Sequence, residues 1–316
     1  MSEQTKKKTV KKKSQVPMAV VYFGTMLLFL AVFGLIASFL VNRINELNQP
    51  KPEQPAPKAP SFNIMFARVN SKNVLSDMSI MRFSPETNTV VVIPVSSFTV
   101  DSDDSGNTLR NIYDDKGVNG LKNAVEANFG LTVDNYVTVS NDAFDQVADL
   151  FGGIVYTPKE ELYYLSENDE DDISFRKDQT VSLVGRQIRL IFQYPVFSEG
   201  KSGNLTFMGE ALNQIVKNAF RQTSITKNNL DNIYNIITNN SDTDLDKNVF
   251  KTQKTYIKQM LDTNAVNCKV LVPSGAWEDD AMKMSGEFKK QLKNVIDETD
   301  AEPSQSSKAA SAESKK

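Results

Sequence analysis

Ser224-Ile-Thr-Lys227 sets a hydroxyl three residues before an amine, the Ser-x-x-Lys spacing of penicillin-interacting serine enzymes. Ser241-Asp242-Thr243 weakly echoes their second motif, but no Lys-Thr-Gly follows. The run reads better as a linker in which Thr226 or Lys227 begins a helix. Gly200-Lys201-Ser202 has the ending of a phosphate-binding P-loop, yet Pro195 stands where its first glycine belongs and no strand leads into it. Asp101-Ser-Asp103-Asp104-Ser-Gly106 opens like a calcium loop, but its twelfth position is Ile112 rather than a bidentate Glu. It reads as a solvated turn. Glu167-Asn-Asp169-Glu170-Asp171-Asp172 reads as a flexible acidic loop able to hold a divalent ion only loosely. The chain has no histidine and one cysteine, Cys268. Ser-His-Asp and Cys-His catalysis, HExxH and Cys/His zinc sites, and an internal disulfide are therefore excluded. Carboxylates, Arg, Lys and hydroxyls are left to do any chemistry.

The elements that must position such groups are unevenly spread. Six lysines against Glu3 give the first residues a net charge of +5, which leaves −8 for the rest of a chain whose total is −3. From Val16 to Val41 no side chain is charged. As a helix that segment would reach roughly 39 Å, enough for a hydrocarbon core of about 30 Å. A signal-peptide apolar region is usually only about 7–15 residues long, so the segment predicts an uncleaved anchor. The basic head would stay cytoplasmic and the bulk of the chain would be extracytoplasmic. Pro50, Pro52, Pro55, Pro57 and Pro60 then favour extended backbone, a spacer of roughly 30 Å at about 3.1 Å per residue. The organisation expected is a basic cytoplasmic head over 1–15, a transmembrane helix over 16–41, a Pro-rich linker over 42–60, one folded domain over 61–297 and a disordered tail over 298–316.

Within the domain, Phe62–Ala67, Met78–Phe83 and Thr89–Pro94 read as strands, with Pro85-Glu-Thr-Asn88 as a turn between the last two. Leu121, Ala124, Val125 and Phe129 have helical spacing over Val118–Phe129, capped by Gly130. Tyr136–Val139 is a strand, Asn141 caps a helix ended by Gly152-Gly153, and Ile154–Thr157 is another strand. Helices follow around Leu190–Tyr194, Phe207–Phe220, Asn229–Thr238 and Asp246–Leu261. A strand at Cys268–Val272 and a last helix over Asp280–Ile296 complete the pattern. This is an α/β domain with a mixed central sheet flanked by helices.

Leu75-Ser-Asp77-Met-Ser-Ile-Met, Pro85 to Pro94, Gly120 to Val137 and Phe144 to Tyr156 together resemble the LytR-CpsA-Psr family of membrane-anchored cell-envelope proteins, historically called envelope-related transcriptional attenuators. The Asp149-x-x-Gly152-Gly153 run is the most specific part, and the similarity spans about Phe62 to Val272. It implies the family's activity, transfer of a polyprenyl-pyrophosphate-linked glycopolymer to peptidoglycan with Mg²⁺ or Mn²⁺. Arginines and metal-binding carboxylates would neutralise the pyrophosphate, and an apolar slot would take the lipid. Asp77 matches the family's first metal-binding aspartate, and Arg110 lies near a basic, phosphate-binding position.

The chain departs from the family where charge matters. Val95-Ser96 replaces the Arg-Asp pair expected after Ile93-Pro94. The paired arginines expected after Leu190-Ile-Phe192 fall on Tyr194 and Val196, and a later Asp-Arg cluster falls on Asn204, Phe207 and Glu210. Arg176, Arg186, Arg189 and Arg221 match no motif position. Removing one preorganised electrostatic donor already costs about 10²–10³ in rate. The expectation is therefore a catalytically degenerate member, with no catalytic residue assigned, that binds a polyprenyl lipid, a cell-wall polymer or an envelope protein. The alternative is an active phosphotransferase with a rewired site, which requires a dense positive cluster around Asp77. Asp77 itself is either a metal ligand or a turn residue at a strand start. Nucleic acid is not an expected partner, because the exported part is acidic.

Overall fold

In the computed structural model, residues 59–166, 171–239 and 241–300 are described. The expected basic head, anchor and most of the linker, residues 167–170 of the acidic loop and the tail from 301 onward lie outside them. Among the described residues no helix is long and apolar enough to cross a membrane. The chain divides after Pro57, and the part from Lys58 onward builds its own hydrophobic cores.

In chain order the elements are β1 (Phe62–Val69), β2 (Leu75–Ser84), β3 (Thr89–Val95), α1 (Leu109–Phe129), β4 (Asn135–Ser140), α2 (Asn141–Leu150), β5 (Ile154–Tyr156), β6 (Leu162–Tyr164), β7 (Ile173–Phe175) and β8 (Val181–Leu183). Four helices follow: α3 (Gly185–Phe192), α4 (Lys201–Arg221), α5 (Thr223–Thr238) and α6 (Lys247–Thr263). The chain closes with β9 (Asn267–Val270), β10 (Gly275–Glu278), β11 (Ala281–Met284) and α7 (Gly286–Asp300).

The central sheet has the order β4-β1-β2-β3-β9. Its inner pairs β1–β2 and β2–β3 are antiparallel, and its outer pairs β1–β4 and β3–β9 are parallel. Side chains alternate between faces along a strand, so each apolar run feeds two cores. Ile64, Val90, Val92, Val137 and Val139 pack under α2–α6. Met65, Ala67, Ile80, Val91 and Ile93 pack under α1 and α7. This two-sided burial explains why β3 is buried at every position and carries the continuous Val/Ile run Val90–Ile93.

Several local expectations are corrected. The helix expected to begin at Val118 begins at Leu109, capped by Thr108. It kinks at Gly117 (φ 65°, ψ −166°), which hid its polar first half. Ser140 rather than Asn141 caps α2, its hydroxyl accepting from the Ala143 N–H at 3.1 Å. β5 does not join the central sheet but pairs with β8. The last helix starts at Gly286 instead of Asp280, because Ala281–Met284 forms a hairpin with β10.

That helix also runs past the boundary at 297. Buried Arg82 donates from Nε to Thr299 Oγ1 at 2.9 Å and from Nη1 to Asn63 Oδ1 at 3.1 Å, and it pairs with Asp300. At the start, Ala59 is buried and its N–H reaches Glu86 at 2.8 Å, so the domain begins before Ser61.

The Asp149-x-x-Gly-Gly run serves the fold. Asp149 accepts from the Gly185 N–H at 2.7 Å, which fixes the start of α3 against α2. Gly153 has φ 63°, and a Cβ there would stand 2.0 Å from the Leu183 carbonyl oxygen. Arg189 reinforces the α2–α3 contact with a bidentate pair to Asp145 at 2.9 and 3.0 Å.

Candidate functional site: a polar cavity opening on an apolar slot

Two cavities share lining residues on the α2–α6 side of the sheet, and one of them reaches round to the start of α1. One, of about 370 Å³, is polar. Ser76 and Asp77 of β2, Ser96–Phe98 after β3, Arg110 of α1, Gln193 and Tyr194 after α3, and Lys201 and Asn204 of α4 line it. The other, of about 220 Å³, is apolar. Phe66, Met81, Phe144, Leu212, Ala219 and Ile233 are among its walls. Asp77, Phe192 and Met208 line both, so the two share a wall, or neck, at these residues.

The polar cavity carries two cations at helix starts. Arg110 lies in the first turn of α1, whose N-terminus is tied to the loop after β3 by Arg110 N–H to Ser97 O at 2.8 Å. Lys201 is the first residue of α4. Both stand over the Phe98 ring, Arg110 Cζ at 5.6 Å and Lys201 Nζ at 5.0 Å from its centroid. Cations are disfavoured at the positive end of a helix dipole, where acidic groups belong. Neither first turn has an acidic residue. Two basic side chains held at helix starts over one aromatic ring suit a bound anion, which would meet both dipoles.

At the neck, Asp77 is the third residue of β2, not a turn residue. It lies directly opposite Arg68 of β1. Arg68 donates from Nε to Asp77 Oδ1 at 3.0 Å and from Nη2 to Oδ2, and its Nη1 donates to Asn141 Oδ1. The two side chains are 5% and 14% exposed. The β1–β2 register shifts immediately after Arg68, an irregularity of the kind that re-aims side chains beside functional sites.

The donors present do not fit the divalent ion that the resemblance implies. Both Asp77 oxygens are engaged by one guanidinium. At the position of the expected second carboxylate, Val95 is buried in β3 and the Ser96 hydroxyl accepts from the Phe98 N–H at 3.2 Å. Among the described residues no three His, Cys, Asp or Glu side chains converge.

The other candidates either hold the fold together or face solvent. Asn204 lines the polar cavity, and its amide donates to the carbonyls of Phe192 and Tyr194 at 3.1 and 2.7 Å, closing the end of α3. The Tyr194 hydroxyl accepts from the Tyr163 N–H at 3.1 Å. Val196 is 59% exposed, Phe207 is core, and Glu210 faces solvent. Arg176 and Arg221 are exposed, and Arg186 pairs with Asp171 at 2.8 Å. Ser224 lies within α5, and Lys227 pairs with Asp262. Asp104 of the calcium-like run spends its carboxylate inside its own turn, accepting from Gly106 N–H and Asn107 Nδ2.

Sequence reasoning missed Arg68, whose only signal was a cation in a mostly apolar strand. It also set aside Lys201 as a P-loop remnant, and Phe98, which seats both cations, carries no motif.

The LytR_cpsA_psr family profile matches residues 58–299, well over half of the chain. No curated protein matches the sequence. Among solved structures, a putative transcription regulator from Eubacterium siraeum DSM 15702 superposes with a TM-score of 0.67 at 17% identity, over 79% of this chain and 97% of that one. B. subtilis TagV gives 0.59 at 16% identity, over 77% and 98%. TagT bound to LIIa-WTA gives 0.58 at 13% identity, over 79% and 94%. At these identities the likeness is one of fold.

Proposed function

The chain belongs to the LytR_cpsA_psr family, and from that premise we propose that it is an envelope-facing binding module for a polyprenyl-pyrophosphate-linked glycopolymer that no longer transfers it. The lipid lies in the apolar slot, the pyrophosphate meets Arg110 and Lys201, and the polymer leaves through the mouth of the polar cavity. The uncharged segment Val16–Val41 anchors the chain in the membrane with its lysine-rich head in the cytoplasm. That topology presents the slot to lipid-linked intermediates. The TagT complex with LIIa-WTA lends the ligand class support by analogy of fold.

One observation carries the reading: an apolar slot and a cationic polar cavity share a neck at Asp77, Phe192 and Met208. An amphiphile with an anionic head is the ligand class that fits both halves at once. Two features of the neck support loss of transfer over a rewired phosphotransferase that would use Arg68, Arg110 and Lys201 as its cations. Asp77 is spent on Arg68, and the pair expected at Val95-Ser96 is absent.

The test incubates residues 58–316 with farnesyl pyrophosphate and Mg²⁺ or Mn²⁺, following melting temperature and phosphate release together. Stabilisation without release is expected. Metal-dependent release that disappears in Asp77→Ala would instead restore the phosphotransferase reading.

A further inference from the structure

We infer that Arg68 is a built-in counterion that takes the place of the divalent metal, so that this site holds a pyrophosphate with no metal requirement. The inference rests on the ligand class proposed above and names the cation that serves it.

Three features converge on Arg68. It stands directly opposite Asp77 across an antiparallel pair, where side chains are closest neighbours. It engages both carboxylate oxygens in the fork geometry that suits guanidinium and carboxylate. Its remaining arm is fixed by Asn141 at the start of α2, so the group is immobilised from two elements. A dication approaching Asp77 would have to displace this fork or sit beside a fixed positive charge in a buried site. No second carboxylate is present at Val95-Ser96 to help hold it.

The position of the pair gives it a role. Arg68 lines the apolar slot, and Asp77 lines both cavities. A lipid whose tail fills the slot and whose head reaches Arg110 and Lys201 would pass beside the pair, because Asp77 lines both cavities. At that point a guanidinium supplies a fixed charge without the pH and concentration dependence of a metal. Asp77 offsets and orients it, which makes Asp77 a positioning residue whose charge opposes the ligand's.

This sets the sign of one substitution against the metal-based alternative. Asp77→Asn keeps the shape and one acceptor for Arg68 but removes the opposing charge. Farnesyl pyrophosphate should then bind residues 58–316 about tenfold more tightly, the worth of one freed charge-assisted hydrogen bond. Its affinity for the unaltered chain should be the same in EDTA as in Mn²⁺. If Asp77 instead holds a metal, Asp77→Asn abolishes binding and EDTA does the same, and the inference is overturned.

A titration of the unaltered protein with Mn²⁺ alone keeps the question separate from the lipid and from the folding of any variant. No saturable site is expected. A saturable site lost in Asp77→Asn overturns the inference even if no lipid binds. Absence of farnesyl pyrophosphate binding under every condition, with no Mn²⁺ site, would remove the functional reading while leaving Arg68 as the occupant of the metal carboxylate.

Discussion

Arg68 and Asp77 face each other across β1 and β2 as a bidentate pair, almost wholly removed from solvent, at the neck between a polar cavity and an apolar slot. Exchange of one partner alone strands a buried charge. Arg68→Met should lower unfolding free energy by about 3–5 kcal/mol, the range for breaking a buried pair. Arg68→Met with Asp77→Leu should recover most of that loss, because an apolar pair of similar volume needs no desolvation. Urea denaturation of the three proteins checks both statements.

In the proposed function Arg110 and Lys201 serve the ligand rather than stability. Arg110→Ala and Lys201→Ala should each weaken farnesyl pyrophosphate binding about tenfold and leave the melting midpoint nearly unchanged. Because both side chains are partly solvated, the affinity of the unaltered protein should fall as salt rises, and the double variant should lose most of that slope. An equal slope in both would place the anion elsewhere.

Ala219 of α4 borders the apolar slot. Ala219→Phe puts a ring into existing space, so stability should change by less than about 1 kcal/mol, below the usual penalty for overpacking a filled core. Binding of a farnesyl chain should drop at least about tenfold, while inorganic pyrophosphate binding stays the same. Unaltered lipid affinity would show that the chain runs along another surface.

Gly152 and Gly153 both have positive φ, but only Gly153 is pressed against backbone, at the Leu183 carbonyl. Gly152→Ala should cost about 1–2 kcal/mol, the price of a left-handed alanine. Gly153→Ala adds a backbone clash and should cost more than about 3 kcal/mol. Equal effects in thermal melts would contradict the packing of β8 against this turn.

Burial pushes the Cys268 thiol up to about 11, against the lowering effect of Lys217 and Arg221. Burial and the nearby Glu210 and Glu160 push Tyr156 up to about 12. Both are acids with raised folded-state values, so the unfolded chain loses its protons first as pH rises. Their stabilising contribution is complete below about pH 9 and declines through pH 9–12. Stability measured by urea should therefore fall steadily above pH 9, and Cys268 should stay unreactive to a thiol reagent at pH 8 until the chain unfolds.

The strands of the central sheet were legible because each carries its burial in its own residues. β1, β2 and β3 were expected within two or three residues of where they lie, and the mixed sheet followed from strand-helix alternation. What escaped was set by pairings and backbone breaks that no single residue's type announces. Gly117 hid the first half of α1 by interrupting its period, and β11 was read as helix because only its pairing with β10 distinguishes it. Asp77 and Arg110 were singled out through the resemblance, and both line the polar cavity. Arg68 and Lys201 were not, since nothing local tells that one cation in β1 meets Asp77 or that a helix start more than ninety positions after Arg110 shares its aromatic support.

The most direct test of the account compares three ligands on residues 58–316 in EDTA by calorimetry: farnesyl pyrophosphate, farnesol and inorganic pyrophosphate. A slot and a cationic cavity joined at one neck should bind the joined ligand at least about a hundredfold more tightly than either half, as expected when the second contact becomes intramolecular. An affinity for farnesyl pyrophosphate no greater than that for pyrophosphate alone would mean that the slot takes no lipid, and would contradict the account.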